Sequence, residues 1–73
     1  FRGINMDLVE LGKRIREYRN KIGISQEDFA LLIGMDRTYY SSVEKGKHNI
    51  TIMNLKKITD GLKITLSELL INM

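Results

Sequence analysis

A run of hydrogen-bonding side chains occupies the middle of this chain: Arg37, Thr38, Tyr39, Ser41 and Ser42, then Lys47, His48 and Asn49 beyond Lys45. A guanidinium is a planar fork of donors that matches paired acceptors, and hydroxyls add donors and acceptors of their own. Between Asp36 and Lys57 the bases Arg37, Lys45, Lys47, Lys56 and Lys57 oppose only Asp36 and Glu44, a local excess of +3 that equals that of the whole chain. Clustered base of this kind suits a phosphate-bearing polyanion, although a solvated surface carries the same signal. Other chemistry finds no support. His48 is the single histidine and there is no cysteine, so no second ligand stands at metal-ligand spacing and no nucleophile–base pair is set up. The glycines do not follow a strand as a phosphate-cradling loop would. No catalytic residue, no metal and no cofactor is expected.

The frame that must position these groups is small. With 73 residues there is room for one domain, and a chain this short buries only about 60% of its unfolded surface. Hydrophobic residues at 42% and charged residues at 29% give the balance of a folded domain, not of a disordered tail. Lack of cysteine rules out a disulfide framework and suits a reducing compartment such as the cytoplasm. No apolar run approaches the roughly 18 residues a membrane span needs, and the first residues do not resemble a signal peptide. We expect residues 1–6 to be an extension or tag remnant and residues 7–73 to be the domain.

Apolar spacing is helical nearly throughout. Leu8, Leu11, Ile15, Tyr18 and Ile22 form one stripe, with Lys13, Arg14, Glu17 and Lys21 on the other side. Asp7 and Glu10 suit the start of this helix and Gly23 its end. Ser25 and Asp28 have capping-box spacing before a short helix through Phe29, Ala30 and Ile33, which Gly34 stops. Asp36 caps a third helix over 37–45, with Tyr40 and Val43 inward and Gly46 as its stop. Residues 47–50 read as a loop. Thr51 then caps a fourth helix with Ile52, Leu55, Ile58 and Leu62 on its apolar side, and Thr65 to Glu68 forms a full capping box opening a fifth. The β-branched residues of the last third recur at three and four, not two, so strands are rejected. The expected fold is all-α, a compact five-helix bundle.

Within it, Gln26 to Gly46 is the informative stretch. Only Gly34, Met35 and Asp36 separate two short helices, so the pair must cross steeply. Ala30 is small where they meet, and Gly34 takes the positive φ the turn needs. This small–glycine–apolar spacing is that of a helix-turn-helix. From Leu11 to Leu70 the chain resembles the phage-repressor, or Xre-type (lambda-repressor-like), helix-turn-helix family. The matching pieces are Leu11-Gly12-Lys13-Arg14-Ile15-Arg16, Gly23-Ile24-Ser25-Gln26-Glu27, Val43-Glu44-Lys45-Gly46-Lys47 and Leu66-Ser67-Glu68-Leu69-Leu70. Asp36-Arg37-Thr38-Tyr39 and Asn49-Ile50-Thr51-Ile52 resemble, more narrowly, the controller proteins of restriction–modification systems. Two departures stand out: family members often carry proline near Ile50 and glycine near Lys63, and Leu31 and Leu32 sit where the family is usually polar.

The resemblance implies a DNA-binding transcription regulator, with the N-terminal half of the third helix in the major groove of double-stranded DNA. Base contacts would come from Arg37, whose fork matches guanine O6 and N7, and from Thr38, Tyr39, Ser41 and Ser42. Tyr39 could equally donate to phosphate or press on a deformable step, and the two serines could act through water. Phosphate contacts would come from Ser25 and Gln26 at the second helix's start and from Lys47, His48 and Asn49. Arg19 and Glu44 match a family ion pair that joins the first helix to the third. Arg14 and Arg16 read as solvated.

Met53, Leu66, Leu69, Ile71 and Met73 offer more apolar surface than one small core uses, so a homodimer through the C-terminal third is expected. A pseudo-palindromic operator would follow from its symmetry. Leu31, Leu32 and the hydrophobic end at 71–73 leave open an interaction module, such as an antitoxin, on the same helical fold. A third reading is the DNA-binding piece of a longer regulator.

Overall fold

The computed structural model describes residues 7–73 as five helices: α1 (Leu8–Ile22), α2 (Gln26–Ile33), α3 (Arg37–Glu44), α4 (Ile52–Leu62) and α5 (Leu66–Leu70). The expected extension over 1–6 lies outside the described residues. Every helix opens on a side-chain cap. Asp7, Ser25, Asp36, Thr51 and Thr65 accept from the backbone N–H three residues on, at 2.9–3.1 Å. Each such cap satisfies a donor the helix cannot, a contribution of about 1 kcal/mol. Thr65 and Glu68 close the full box, with Thr65 N–H donating to Glu68 Oε1 at 2.8 Å. Ser25 and Asp28 make only the forward half, Asp being one methylene shorter than the Glu of a full box.

Helices α2 and α4 end alike. Met35 N–H reaches Ala30 O at 2.9 Å and Gly34 N–H reaches Leu31 O at 3.2 Å, with Gly34 at φ 68°. Ile64 N–H reaches Thr59 O at 3.0 Å and Lys63 N–H reaches Asp60 O at 3.2 Å, with Lys63 at φ 60°. Both are the paired bonds of a Schellman motif, so α4 exits as α2 does but with lysine in the left-handed position. Helix α3 stops at Glu44, one residue before the expected end, with Lys45 as its cap.

The core joins all five helices: Leu11 and Ile15 from α1, Phe29 and Ala30 from α2, Tyr40 and Val43 from α3, Leu55, Ile58 and Leu62 from α4, Leu69 from α5. Helix α1 packs on α3, α4 and α5, and α2 packs on α3 and α4. A Cβ at Gly12 would overlap the carbonyl oxygens of Val43 and Glu44, so the missing side chain is what lets α1 approach the end of α3. At Gly61 a Cβ would overlap Ile33 and press on Phe29, which closes α4 onto α2 in the same way.

Four expectations need correction. Leu69 is fully buried in its own chain and has no surface left for a dimer contact. Ile22 and Ile52 are about half or more exposed at 51% and 64%, each being the terminal residue of its helix. Arg14 is not solvated: it bonds Glu10 at 3.0 Å, the Leu69 carbonyl at 3.0 Å and the Ile71 carbonyl, tying α1 to the end of α5.

Candidate nucleic-acid interface

Helix α3 owes its orientation to one carboxylate. Glu44, almost wholly buried, receives Arg19 Nε at 2.7 Å and Arg19 Nη2 at 3.1 Å from α1, Gln26 Nε2 at 2.8 Å from α2, and the Tyr40 hydroxyl from its own helix. Arg19 also donates to the Ile24 carbonyl at 2.8 Å. Burial alone pushes the Glu44 carboxyl up, but the bonds from Arg19, Tyr40 and Gln26 together outweigh it and hold the group below its ordinary value. The bond to Glu44 raises Arg19 against the opposing effect of burial. Burial first, and then the bond to Glu44, push the Tyr40 phenol up, so it stays protonated. The family-type pair of Arg19 and Glu44 is thus a bidentate bridge, enlarged by two residues, Tyr40 and Gln26. Tyr40 had read simply as core.

On the outer side of α3, Asp36 caps the first turn, and Arg37 and Thr38 are exposed while Ser41 and Ser42 are half-buried. With Gln26 and Lys45 they line a polar groove between the starts of α2 and α3. Steps of four place Arg37, Ser41 and Lys45 in one row and Thr38 with Ser42 in the next. Arg37 lies 3.8 Å from Glu27, with both side chains more than two-thirds exposed. Such a surface pair contributes about 0–1 kcal/mol and does not prevent the guanidinium from turning to another acceptor.

The remaining candidates surround this row. Ser25 accepts from the Asp28 N–H with one lone pair and keeps its O–H to donate. Gln26, expected at phosphate, has one amide N–H committed to Glu44, which leaves the other for an outside acceptor. Tyr39 is half-buried, its ring 5.4 Å from that of His48 and its hydroxyl 3.4 Å from Asn54 Nδ2. Lys47, His48 and Asn49 are exposed on the loop that follows. Asn54 was missed by sequence reasoning, and nothing in a lone asparagine within an apolar helix would have marked it. Among the described residues no group of three or more His, Asp or Glu side chains is placed to hold a metal ion. Nor is any of these helices long and apolar enough to cross a membrane.

The expected dimer residues divide. Met53, Ile71 and Met73 are exposed, Leu66 is half-buried and Leu69 is core. Leu31 and Leu32 stand out from α2 at 80% and 63% exposure.

Comparison with known proteins completes the description. A family model described as helix-turn-helix matches residues 15–69. Control protein C.MunI of Mycoplasma sp. is 52% identical over 62 residues, 84% of each chain. The restriction–modification controller protein C.AhdI from Aeromonas hydrophila has a solved structure that superposes with TM-score 0.83 at 44% identity, covering 86% of this chain and 96% of that one. C.Esp1396I, a controller protein solved as a tetramer in complex with its natural 35 base-pair operator, superposes with TM-score 0.80 at 32% identity, covering 90% and 87%. The chain therefore belongs to the helix-turn-helix family, of the Xre type, and stands there beside the control proteins of restriction–modification systems.

Proposed function

We propose that this chain is a sequence-specific transcription regulator that binds a pseudo-palindromic operator as a homodimer and controls a restriction–modification operon. The observation that carries the reading is the outward row of exposed Arg37 and Thr38 and half-buried Ser41 and Ser42 on a helix whose inner side is held by Glu44. Base edges need donors and acceptors at the surface of an element that fits the major groove, and α3 presents them. Arg37 takes guanine and Thr38 a base or a thymine methyl. Ser41 and Ser42 work through water, and Tyr39 works at the edge of the row. Ser25, Gln26, Lys47, His48 and Asn49 hold phosphates, which supplies salt-dependent affinity and register. Met53, Leu66, Ile71 and Met73 form the dimer contact, and two-fold symmetry sets half-sites about 10 base pairs apart or a multiple of that. The chain performs no catalysis and works in the cytoplasm, where its DNA is.

The likeness to C.Esp1396I, seen as a multimer on operator DNA, supports both parts of this reading. The test is selection from a random duplex library, followed by titration of the winner and a scrambled duplex at several salt concentrations. A two-fold symmetric winner bound about 10³-fold tighter than the control is the expected result. Equal, salt-sensitive binding to both would reduce α3 to a basic surface. A second reading, favoured by the exposure of Leu31 and Leu32, gives α2 a protein partner, as in an antitoxin. Co-purification of a stoichiometric partner, lost in Leu31→Asp, is its test.

A further inference from the structure

Tyr39 and Tyr40 are adjacent, yet their hydroxyls are placed in opposite roles. A phenol has one proton to give and lone pairs to receive with. Tyr40 donates its O–H to the Glu44 carboxylate inside the bundle and has no donor left for the outside. Tyr39 instead faces Asn54, whose Nδ2 stands 3.4 Å from the phenol oxygen. A carboxamide nitrogen only donates, so the oxygen of Tyr39 acts there as acceptor and its own proton is uncommitted.

Asn54 is itself held in place. It is the third residue of α4, and its backbone N–H is fixed by the Thr51 cap at 3.1 Å. The His48 ring closes on the tyrosine at 5.4 Å, tilted by 59°, and Tyr39 N–H is tied to Asp36 Oδ2 at 2.9 Å. The tyrosine is therefore gripped from its own helix, from the loop and from α4. Beside it stand the exposed Lys47, His48 and Asn49, a surface that draws anionic acceptors.

Resting on the regulator reading above, we propose that Asn54 is a positioning residue for Tyr39. By donating to the phenol oxygen it fixes Tyr39 as a hydrogen-bond donor to a DNA phosphate. The bond runs from α4 into the recognition surface, so an element outside the helix-turn-helix sets how one of its side chains meets DNA. Tyr39 then contributes to affinity through a hydrogen bond whose donor carries no charge of its own.

The experiment is a double-mutant cycle on operator affinity with the full chain: wild type, Tyr39→Phe, Asn54→Ala and the double variant, each titrated at several salt concentrations. Tyr39→Phe should weaken binding roughly 10- to 150-fold, the range for losing a hydrogen bond to a charged group, and Asn54→Ala by no more than that. In the Tyr39→Phe background Asn54→Ala should change affinity less than about two-fold, since the group it orients is gone. The slope of log affinity against log salt should stay that of wild type, because no cation is removed. Thermal melts of the free variants guard against a folding effect. Where Asn54→Ala melts early, Asn54→Leu, which keeps the shape without the donor, repeats the cycle. Multiplicative losses, or full affinity in Tyr39→Phe, overturn the proposal while leaving the regulator reading intact. A wild-type chain that prefers no duplex over a scrambled one overturns both.

Discussion

Arg37 and Arg19 carry the same charge into opposite surroundings, and mutation should separate them. Arg37 is exposed and held only by a surface contact with Glu27, so Arg37→Ala should leave the melting temperature nearly unchanged. It should cost about 1–3 kcal/mol in operator binding and relax specificity at one base position. Lys47→Ala should weaken operator and random DNA alike and reduce the salt slope by about one. Titrations of both variants on both duplexes check this, and equal losses for the two variants would refute the division of roles. Arg19 faces the buried Glu44, so Glu44→Gln strands a cation inside the bundle, at a cost of about 3–5 kcal/mol, a large share of a stability of about 5–15 kcal/mol. Because the folded Glu44 sits below its ordinary value, its contribution is complete above the unfolded value near pH 4.3 and is lost as pH falls through the folded one. Urea midpoints measured from pH 7 downward should therefore fall more steeply for wild type than for Glu44→Gln. The sequence showed this pair only through family likeness. Of its other two members, Gln26 was illegible because it reaches Glu44 from another helix, whereas Tyr40 stands four residues before Glu44 on α3, a spacing the sequence does show but that reads there only as packing.

Helices α1 to α5 were legible where the physics is local. Asp7, Ser25, Asp36, Thr51 and Thr65 each cap a helix three residues before the N–H they accept from, a relation contained in the sequence itself. Gly12 and Gly61 were not legible, since each glycine is explained by a partner from another helix. Ile22 and Ile52 misled in a related way: periodicity tells which face is apolar but not how far toward the helix end that face is covered. Two substitutions test this distinction. Gly12→Ala should destabilise by about 1–3 kcal/mol despite alanine's better helix propensity, because the methyl has nowhere to go but into the α3 carbonyls. Lys63→Gly should act in reverse. Lysine at φ 60° bears a left-handed cost of about 1–2 kcal/mol. Glycine relieves that cost while adding freedom to the unfolded chain, for a net gain of up to about 1 kcal/mol. Denaturant midpoints for both variants decide it; a stabilising Gly12→Ala would mean α1 and α3 can separate without loss.

For the whole molecule, the question is what covers its apolar end. A domain of this size leaves much of its surface uncovered, but scattered leucines differ from an anchored group. Arg14 ties the carbonyls of Leu69 and Ile71 to α1, which holds the segment carrying Ile71 and Met73 in a defined place rather than leaving it to fray. Those two residues, with Met53, are the large apolar side chains of the proposed dimer contact that stand exposed. An aspartate at the centre of such a contact must be desolvated without a partner, so Ile71→Asp should raise the monomer–dimer dissociation constant by about 100-fold or more, the effect expected of a central anchor. Leu31→Asp, at an exposed leucine outside the proposed contact, should leave it unchanged. Sedimentation velocity over a range of concentrations reads both. The DNA consequence separates dimerisation from recognition: Ile71→Asp should bind a full operator little better than a half-site, yet keep the wild-type order of preference among half-site sequences, because α3 and its Glu44 support are untouched. A wild-type chain that sediments as a monomer at every concentration, or an Ile71→Asp variant that still prefers the full operator as strongly as wild type does, would place the symmetry of this regulator somewhere other than its C-terminal end.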